Sequence, residues 1–240
     1  MKRFLKRILA YTPIALTRNQ KYDLLTRRVI KKVCQSMSNC VDVGCHKGEI
    51  LDLMLKNAPQ GMHWAFEPIP ELFEHLKLKY KDKHCVISDA ALSDITGMSS
   101  FNYVVSNPSY SGLMRRSYDR PREVDKSIFV RTIKLDEVIA PDTKIDLIKI
   151  DVEGGEMLVL KGARHTLETS HPVVIFEHGL GASDAYGVKP EHVFGYFESL
   201  KYNIFNLEGF LKGKPALTRE EFLGQYWKKK NFYFVAALRK

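Results

Sequence analysis

An α/β fold, with a mostly parallel sheet and helices on both faces, is what this 240-residue sequence predicts. Two observations predict it: apolar runs of strand type alternate repeatedly with segments of helical apolar spacing, and acids and glycines gather where the strand-type runs end. Parallel strands need right-handed crossovers, and such sheets bind ligands outside the carboxyl ends of their strands. With 45% apolar residues the chain can bury a sizeable core. The reading is one main domain over 38–240, preceded over 1–37 by a basic amphipathic segment and a helix.

The elements follow in order. Apolar spacing predicts a helix over 22–37 and a strand over 40–43 that runs into Gly44 and Gly48; Ile50, Leu51, Leu53, Met54 and Leu55 then mark a helix. A strand over 62–66, punctuation by Pro68 and Pro70, and a helix carrying Leu72, Phe73, Leu76, Leu78 and Tyr80 repeat the unit. A third strand covers 85–87. From 93 to 123 Gly97, Asn107, Pro108, Gly112 and Pro121 break the rhythm, and Arg115, Arg116, Arg120 and Arg122 charge it, as expected of an insertion over a site. A strand over 129–133 follows, then one ending at Ile150, a helix over 155–167 and a strand over 172–177. A helix over 190–200 and strands over 202–205 and 232–238 complete the pattern. Gly44, Glu67, Asp89, Asp151 and Glu177 then stand at or just past strand ends, where a site is expected.

The run Asp146-Leu147-Ile148-Lys149-Ile150-Asp151-Val152-Glu153-Gly154-Gly155-Glu156 is the most informative in the chain. Lys149, Asp151 and Glu153 alternate with core-type residues, so charge sits at the rim of a buried strand and needs partners, a ligand or a reaction.

Composition narrows the partners. Thirty-seven Lys plus Arg against 28 Asp plus Glu leave a net charge of +9, which favours an anionic partner: nucleic acid, membrane surface or acidic glycan. Cys34, Cys40, Cys45 and Cys85 show no zinc spacing or disulfide framework, as expected of reduced thiols in a cytoplasmic protein. Near the start, Lys2, Arg3, Lys6 and Arg7 interleave with Phe4, Leu5, Ile8 and Leu9. Thr12 and Pro13 break the apolar run, well short of the roughly 20 apolar residues a membrane span requires, and no cleavage site follows. Two readings stand: a basic amphipathic helix over 1–18 lying on the inner membrane face, and a helix packed on the domain.

The loop Asp42-Val43-Gly44-Cys45-His46-Lys47-Gly48 puts two glycines between the first strand and its helix, where backbone can approach a ligand. Glu67 closes the next strand, where an acid can accept both ribose hydroxyls of an adenosine cofactor; Asp89 could accept from the adenine amino group. Dinucleotide sites want G-x-G-x-x-G, whereas this loop is G-x-x-x-G with His46 at the middle position. Asp42, two residues before Gly44, suits a ligand with an ammonium and no pyrophosphate, which describes S-adenosylmethionine. The structural alternative is a turn glycine and a capped helix.

These residues resemble the FkbM family of S-adenosylmethionine-dependent methyltransferases. The match rests on Val41 through Gly48, Phe66-Glu67-Pro68, Asp89-Ala90-Ala91-Leu92-Ser93, the 145–156 run with Leu160-Lys161-Gly162-Ala163, and 172–177. It covers about 38–178. Where the family commonly has Ala-Asn, this chain has Cys45-His46. The resemblance implies a Rossmann-like class I methyltransferase fold, with Asp42, Gly44, His46, Gly48, Glu67, Asp89 and Ala90 at the cofactor. It also implies methylation of hydroxyls, often on sugars or polyketides.

Methyl transfer from a sulfonium is an in-line displacement, in which alignment alone can contribute on the order of 7–11 kcal/mol. The acceptor proton is the remaining problem: ionising a hydroxyl of pKa about 15.7 at neutral pH costs about 12 kcal/mol. Asp151, Glu153, Glu177 and His178 are the candidate bases, with Lys149 beside them. A divalent metal on Asp151, Glu177 and His178 is chemically admissible, though no spacing demands one. Structural readings stand beside each: Lys149 pairing with Glu153, Asp151 or Glu153 capping the helix near Gly155, and His178 merely ending a strand. The four arginines are read as a solvated face or as holders of an acidic acceptor. A glycan or glycolipid hydroxyl is the expected acceptor; RNA methylation and a non-catalytic membrane-docked cofactor module are the rivals.

Overall fold

Side chains two apart along an extended strand share a face, and the central sheet buries both of its faces. The computed structural model describes residues 17–118 and 122–239; the segment 1–16 and Arg120 lie outside them. In chain order the elements are α1 (Arg18–Val33), β1 (Cys40–Val43), α2 (Glu49–Asn57), β2 (His63–Phe66), α3 (Pro70–Lys79) and β3 (Cys85–Ser88). Next come β4 (Ala91–Leu92), β5 (Gly97–Val104), β6 (Asp125–Ile133), β7 (Leu147–Ile150), α4 (Glu156–Gly162), α5 (Arg164–Ser170) and β8 (Val173–Glu177). The last are α6 (Pro190–Ser199), β9 (Tyr202–Asn206), α7 (Leu207–Leu211), α8 (Arg219–Trp227) and β10 (Tyr233–Leu238). Among the described residues no helix is long and apolar enough to cross a membrane.

Seven strands form the central sheet in the order β3-β2-β1-β7-β8-β10-β9. β10 runs antiparallel to both neighbours and the other adjacent pairs are parallel. The order reverses at β1, which has β2 on one side and β7 on the other, so a crevice opens at their carboxyl ends. On one face Cys40, Leu147, Ile175 and Val235 pack under Leu25, Val29 and Ile30 of α1 and Met54 of α2. On the other, Val41, Val43, Ile148, Ile150, Val174 and Phe176 meet Val159 and Leu160 of α4, Leu167 of α5, Phe197 of α6 and Phe222 of α8. Each such side chain contributes about 1.5–3 kcal/mol through burial. α1 starts at Thr17, whose hydroxyl accepts from Gln20 N while the Gln20 side chain accepts from Thr17 N, satisfying two end amides.

Several stretches depart from the sequence reading: the first helix runs Arg18–Val33 rather than 22–37, α7 and α8 are not expected from it, and two more departures bear on the site. Within 93–123, Gly97–Val104 is a strand paired along its length with β6, and with β4 they form a second, three-stranded sheet. Only Phe101, Tyr103 and Val104 of β5 are buried, so its first half carries no apolar alternation to read. The loop beyond it folds back: Asn102 and Gly112 exchange backbone hydrogen bonds and Ser111 Oγ accepts from Val104 N. The helix expected over 155–167 is two helices, because Asp136 accepts from the amides of His165 and Thr166 and caps a fresh start at α5.

Candidate active site

A row of polar side chains crosses the carboxyl end of the sheet on the face that α1 covers. Register places Asp42 of β1 beside Lys149 of β7, and Tyr233 of β10 beside Glu177 of β8. Lys149 Nζ lies 3.2 Å from Asp151 Oδ2 and 3.9 Å from Asp42 Oδ1. Burial pulls the Lys149 ammonium down, but Asp151 and Asp42 outweigh it and hold the charge above the ordinary lysine range. Asp42 is fully buried and pushed up to about 6 by that burial, against the pull of Lys149.

Asp151 is the hub of the row. Its side chain is 25% exposed, and the Tyr233 hydroxyl donates to Oδ2. Burial works against its ionisation, yet Lys149 and hydrogen bonds from Glu177 and Tyr233 hold its carboxyl below the usual range. Glu177 goes the other way, raised by burial and by Asp151. Burial and the Asp151 charge thus favour the neutral form of Glu177, while Lys149, Glu177 and Tyr233 favour the carboxylate of Asp151.

Glu153 adds a third carboxylate from a left-handed backbone position, φ 57°. Arg116 Nη1 meets its Oε2 at 2.6 Å, and the same guanidinium, only 10% exposed, lies 4.6 Å over the Tyr110 ring. Burial and the Asp151 charge push Glu153 up to about 8, so Arg116 is what favours its ionised form. Carboxylate oxygens of Asp151, Glu153 and Glu177 lie within 4.8 Å of one another and could hold a divalent ion. Lys149 and Arg116 already balance part of their charge. The loop that carries Glu153 is held by Glu156, whose Oε1 accepts from Val152 N and Gly154 N at 3.1 Å each. Neither Asp151 nor Glu153 caps α4, whose start at Gly155 carries no side-chain cap hydrogen bond, and Lys149 pairs with Asp151 and Asp42 rather than with Glu153.

Across the crevice the turn after β1 forms the second wall. Gly44 N and Cys45 N both donate to Phe66 O, and Gly44 adopts φ 75° with its α-carbon so near β7 that a Cβ would lie 2.0 Å from Asp151 O. His46 N donates to Glu67 Oε2 at 2.8 Å, and Ile69 N to Oε1 at 3.0 Å. Glu67 is buried and pushed up to about 7, while burial lowers the His46 imidazole. Both walls enclose one cavity of about 800 Å³, lined by Gly44, His46, Glu67 and Ala90 on one side and Lys149, Asp151, Glu153 and Glu177 on the other. Small-molecule sites typically measure about 300–1,000 Å³.

Four expected site residues do not line this cavity, each for a physical reason. Asp42 sits inside the sheet, and the ammonium it holds is that of Lys149. Gly48, at φ 80°, is kept side-chain-free by Tyr80, whose hydroxyl donates to Gly48 O and Asp52 Oδ1; a Cβ would stand 2.2 Å from that hydroxyl. Asp89 is half-exposed and bound to Arg131 at 2.8 Å. His178 follows Glu177 by one residue and so points to the opposite face, buried between Tyr226 and Phe222 and lowered to about 4 by burial. Any metal here would therefore use Glu153 in place of His178. Cys45 is a buried filler whose thiol burial pushes up. Arg115 pairs with Asp125 and Arg122 is exposed, so among the described arginines of that stretch Arg116 alone enters the cavity.

Sequence reasoning missed Tyr233, Tyr110 and Tyr186, all cavity-lining. Tyr233 opens a strand that was read, but only the antiparallel placement of β10 beside β8 brings it to Glu177.

The model of the methyltransferase FkbM domain matches residues 42–204, more than half of the chain. The chain belongs to the FkbM methyltransferase family. Its fold agrees: methyltransferase FkbM from Methylobacillus flagellatus KT superposes with a TM-score of 0.52 at 16% identity, covering 84% of this chain and 44% of that one. This FkbM-family chain thus spans less than half the length of that protein. A putative rRNA-methylase from Clostridium thermocellum gives a TM-score of 0.50 at 9% identity, covering 95% of this chain and 99% of that one. No curated protein matches the FkbM-family chain by sequence.

Proposed function

We propose that this FkbM-family methyltransferase takes S-adenosylmethionine as donor and methylates a hydroxyl of a sugar, glycan or glycolipid, in the manner of a step in polysaccharide assembly. One observation carries the reading: one cavity faces a Gly44–Glu67 wall on one side and, on the other, an Asp151 carboxyl that accepts from Tyr233 and lies 3.2 Å from Lys149 Nζ. The first wall fits the donor. Buried Glu67, held by His46 N and Ile69 N, would accept from the ribose hydroxyls, and the small side chain of Ala90 would leave space beside the base. When bound, the donor supplies an electrophilic methyl on a sulfonium.

The protein's own residues manage the acceptor proton. Asp151 accepts it as the acceptor oxygen attacks, while Lys149 and Tyr233 hold the carboxylate in place and ionised until then. Glu177 keeps its own proton on the Asp151 side of the pair, so the two carboxyls take up the new proton as a unit. Glu153 and Arg116 close the acceptor end. The reading is tested by transfer of labelled methyl from S-adenosylmethionine to sugar nucleotides, extracted glycolipids and RNA, with Asp151→Asn as control. Label in a glycan hydroxyl that Asp151→Asn abolishes supports it; label in RNA alone overturns the acceptor, and label unaffected by Asp151→Asn overturns the assigned base.

A further inference from the structure

One side of the cavity rim carries Arg18, Arg27 and Lys229 near the acids Asp23 and Glu49. Arg18, at the start of α1, donates to the carbonyls of Lys229 and Lys230 and lies 5.1 Å over the Phe232 ring. Tyr22 of α1 donates to Asn231 Oδ1 at 2.9 Å and packs on Phe232 with ring centres 4.6 Å apart. The outer side of α1 and the Lys228-Lys229-Lys230 turn are thereby joined into one surface, and Arg18, Arg27 and Lys229 from it line the cavity mouth. Arg28, Lys31, Lys228 and Lys230 are exposed, and among the described residues none of these four is in an ion pair. Trp227, at the end of α8 beside the lysines, is 51% exposed, and Leu24 of α1 is also exposed.

Uncompensated cations beside an exposed tryptophan and leucine suit the interface of an anionic bilayer, where charge draws the protein in and the aromatic ring settles at headgroup depth. RNA would be served by several exposed stacking rings along a basic groove, whereas the exposed ring at this rim is Trp227, Tyr22 being buried and Phe232 part-buried. The chain that leads into α1 continues the same chemistry in its sequence, with Lys2, Arg3, Lys6 and Arg7 interleaved with Phe4, Leu5, Ile8 and Leu9. We infer that the outer side of α1 and the Trp227–Lys230 turn form a docking surface for an anionic lipid bilayer. The cavity mouth then lies at the membrane surface. Delivery of a lipid-linked hydroxyl through it rests on the proposed methyl transfer; the docking itself does not.

Sedimentation of the full chain with phosphatidylcholine vesicles, with and without phosphatidylglycerol, decides the matter without reading methyl transfer. Binding is expected to the anionic vesicles alone, to weaken in high salt, and to drop about fivefold for each cation removed in Arg28→Ala, Lys31→Ala, Lys228→Ala and Lys230→Ala. Trp227→Ala should weaken it further, while S-adenosylmethionine binding and the circular dichroism of the variants confirm that they fold. Absence of binding, equal binding to neutral vesicles, or binding that survives the four substitutions overturns the inference. So does retention of single-stranded RNA through these cations by a protein that ignores vesicles.

Discussion

Removing Lys149 should expose how the acidic row is held together. At separations of 3.9 Å to Asp42 and 3.2 Å to Asp151, Coulomb attraction amounts to about 4 and about 5 kcal/mol at an effective dielectric constant of 20. Desolvation offsets most of that, and the Asp151 contribution must be discounted further because its side chain is 25% exposed. Deleting one partner of a buried pair nevertheless strands the other charge, at about 3–5 kcal/mol. Lys149→Met is therefore expected to lose about 3–5 kcal/mol at neutral pH, measured by urea unfolding. Lys149→Met/Asp42→Asn should lose clearly less than the sum of the single variants, with a coupling of about 1–3 kcal/mol. Because Asp42 titrates near 6, the loss in Lys149→Met should shrink as pH falls from neutral toward 5, where that carboxyl takes up a proton. Strict additivity, or a loss identical at both pH values, would refute the assignment of Asp42 and Lys149 as a buried ion pair.

Three further outcomes follow from the same geometry. Asp151→Asn should lower kcat at least a hundredfold with donor affinity within a few-fold of wild type, and Tyr233→Phe should shift kcat and its acid limb less severely; steady-state kinetics and calorimetry check both. His178→Phe should leave kcat within about threefold, since the ring is buried outside the cavity, and a large loss of rate with intact folding would return His178 to the reaction. Apo-protein stability should fall above pH 5 through about 7, because Glu67 and Glu156 bind protons more tightly folded than unfolded; their stabilisation is complete below the unfolded carboxylate range and lost as pH rises past the folded value. His178, lowered to about 4, opposes this by one proton as pH drops from 6.5 toward 4, too few to reverse the two glutamates, so thermal scans should show stability falling from about pH 5 to 7 and Glu156→Gln should flatten that fall.

The strand ends were legible because parallel-sheet chemistry announces itself: apolar runs that stop at Gly44, Glu67, Asp151 and Glu177 can only be buried strands with a polar rim. What lay hidden was the face each side chain takes and the partner it meets. Asp42 is two residues inside its strand and is answered by Lys149 from a strand about a hundred residues later. His178 is one residue past Glu177, which is enough to turn it to the other face. Asp89 finds Arg131 only because β6 joins a second sheet that β5 completes, and half of β5 shows no alternation. Arg116 and Tyr233 reach the site through a folded-back loop and an antiparallel strand, neither of which leaves a local signature.

Isothermal titration of the wild-type protein with S-adenosylmethionine, S-adenosylhomocysteine and NAD, with and without magnesium, tests the central claim most directly. Binding of both sulfur compounds without NAD binding, weakened at least tenfold in Glu67→Ala, is the result expected. Tight NAD binding with no response to S-adenosylmethionine would contradict the account.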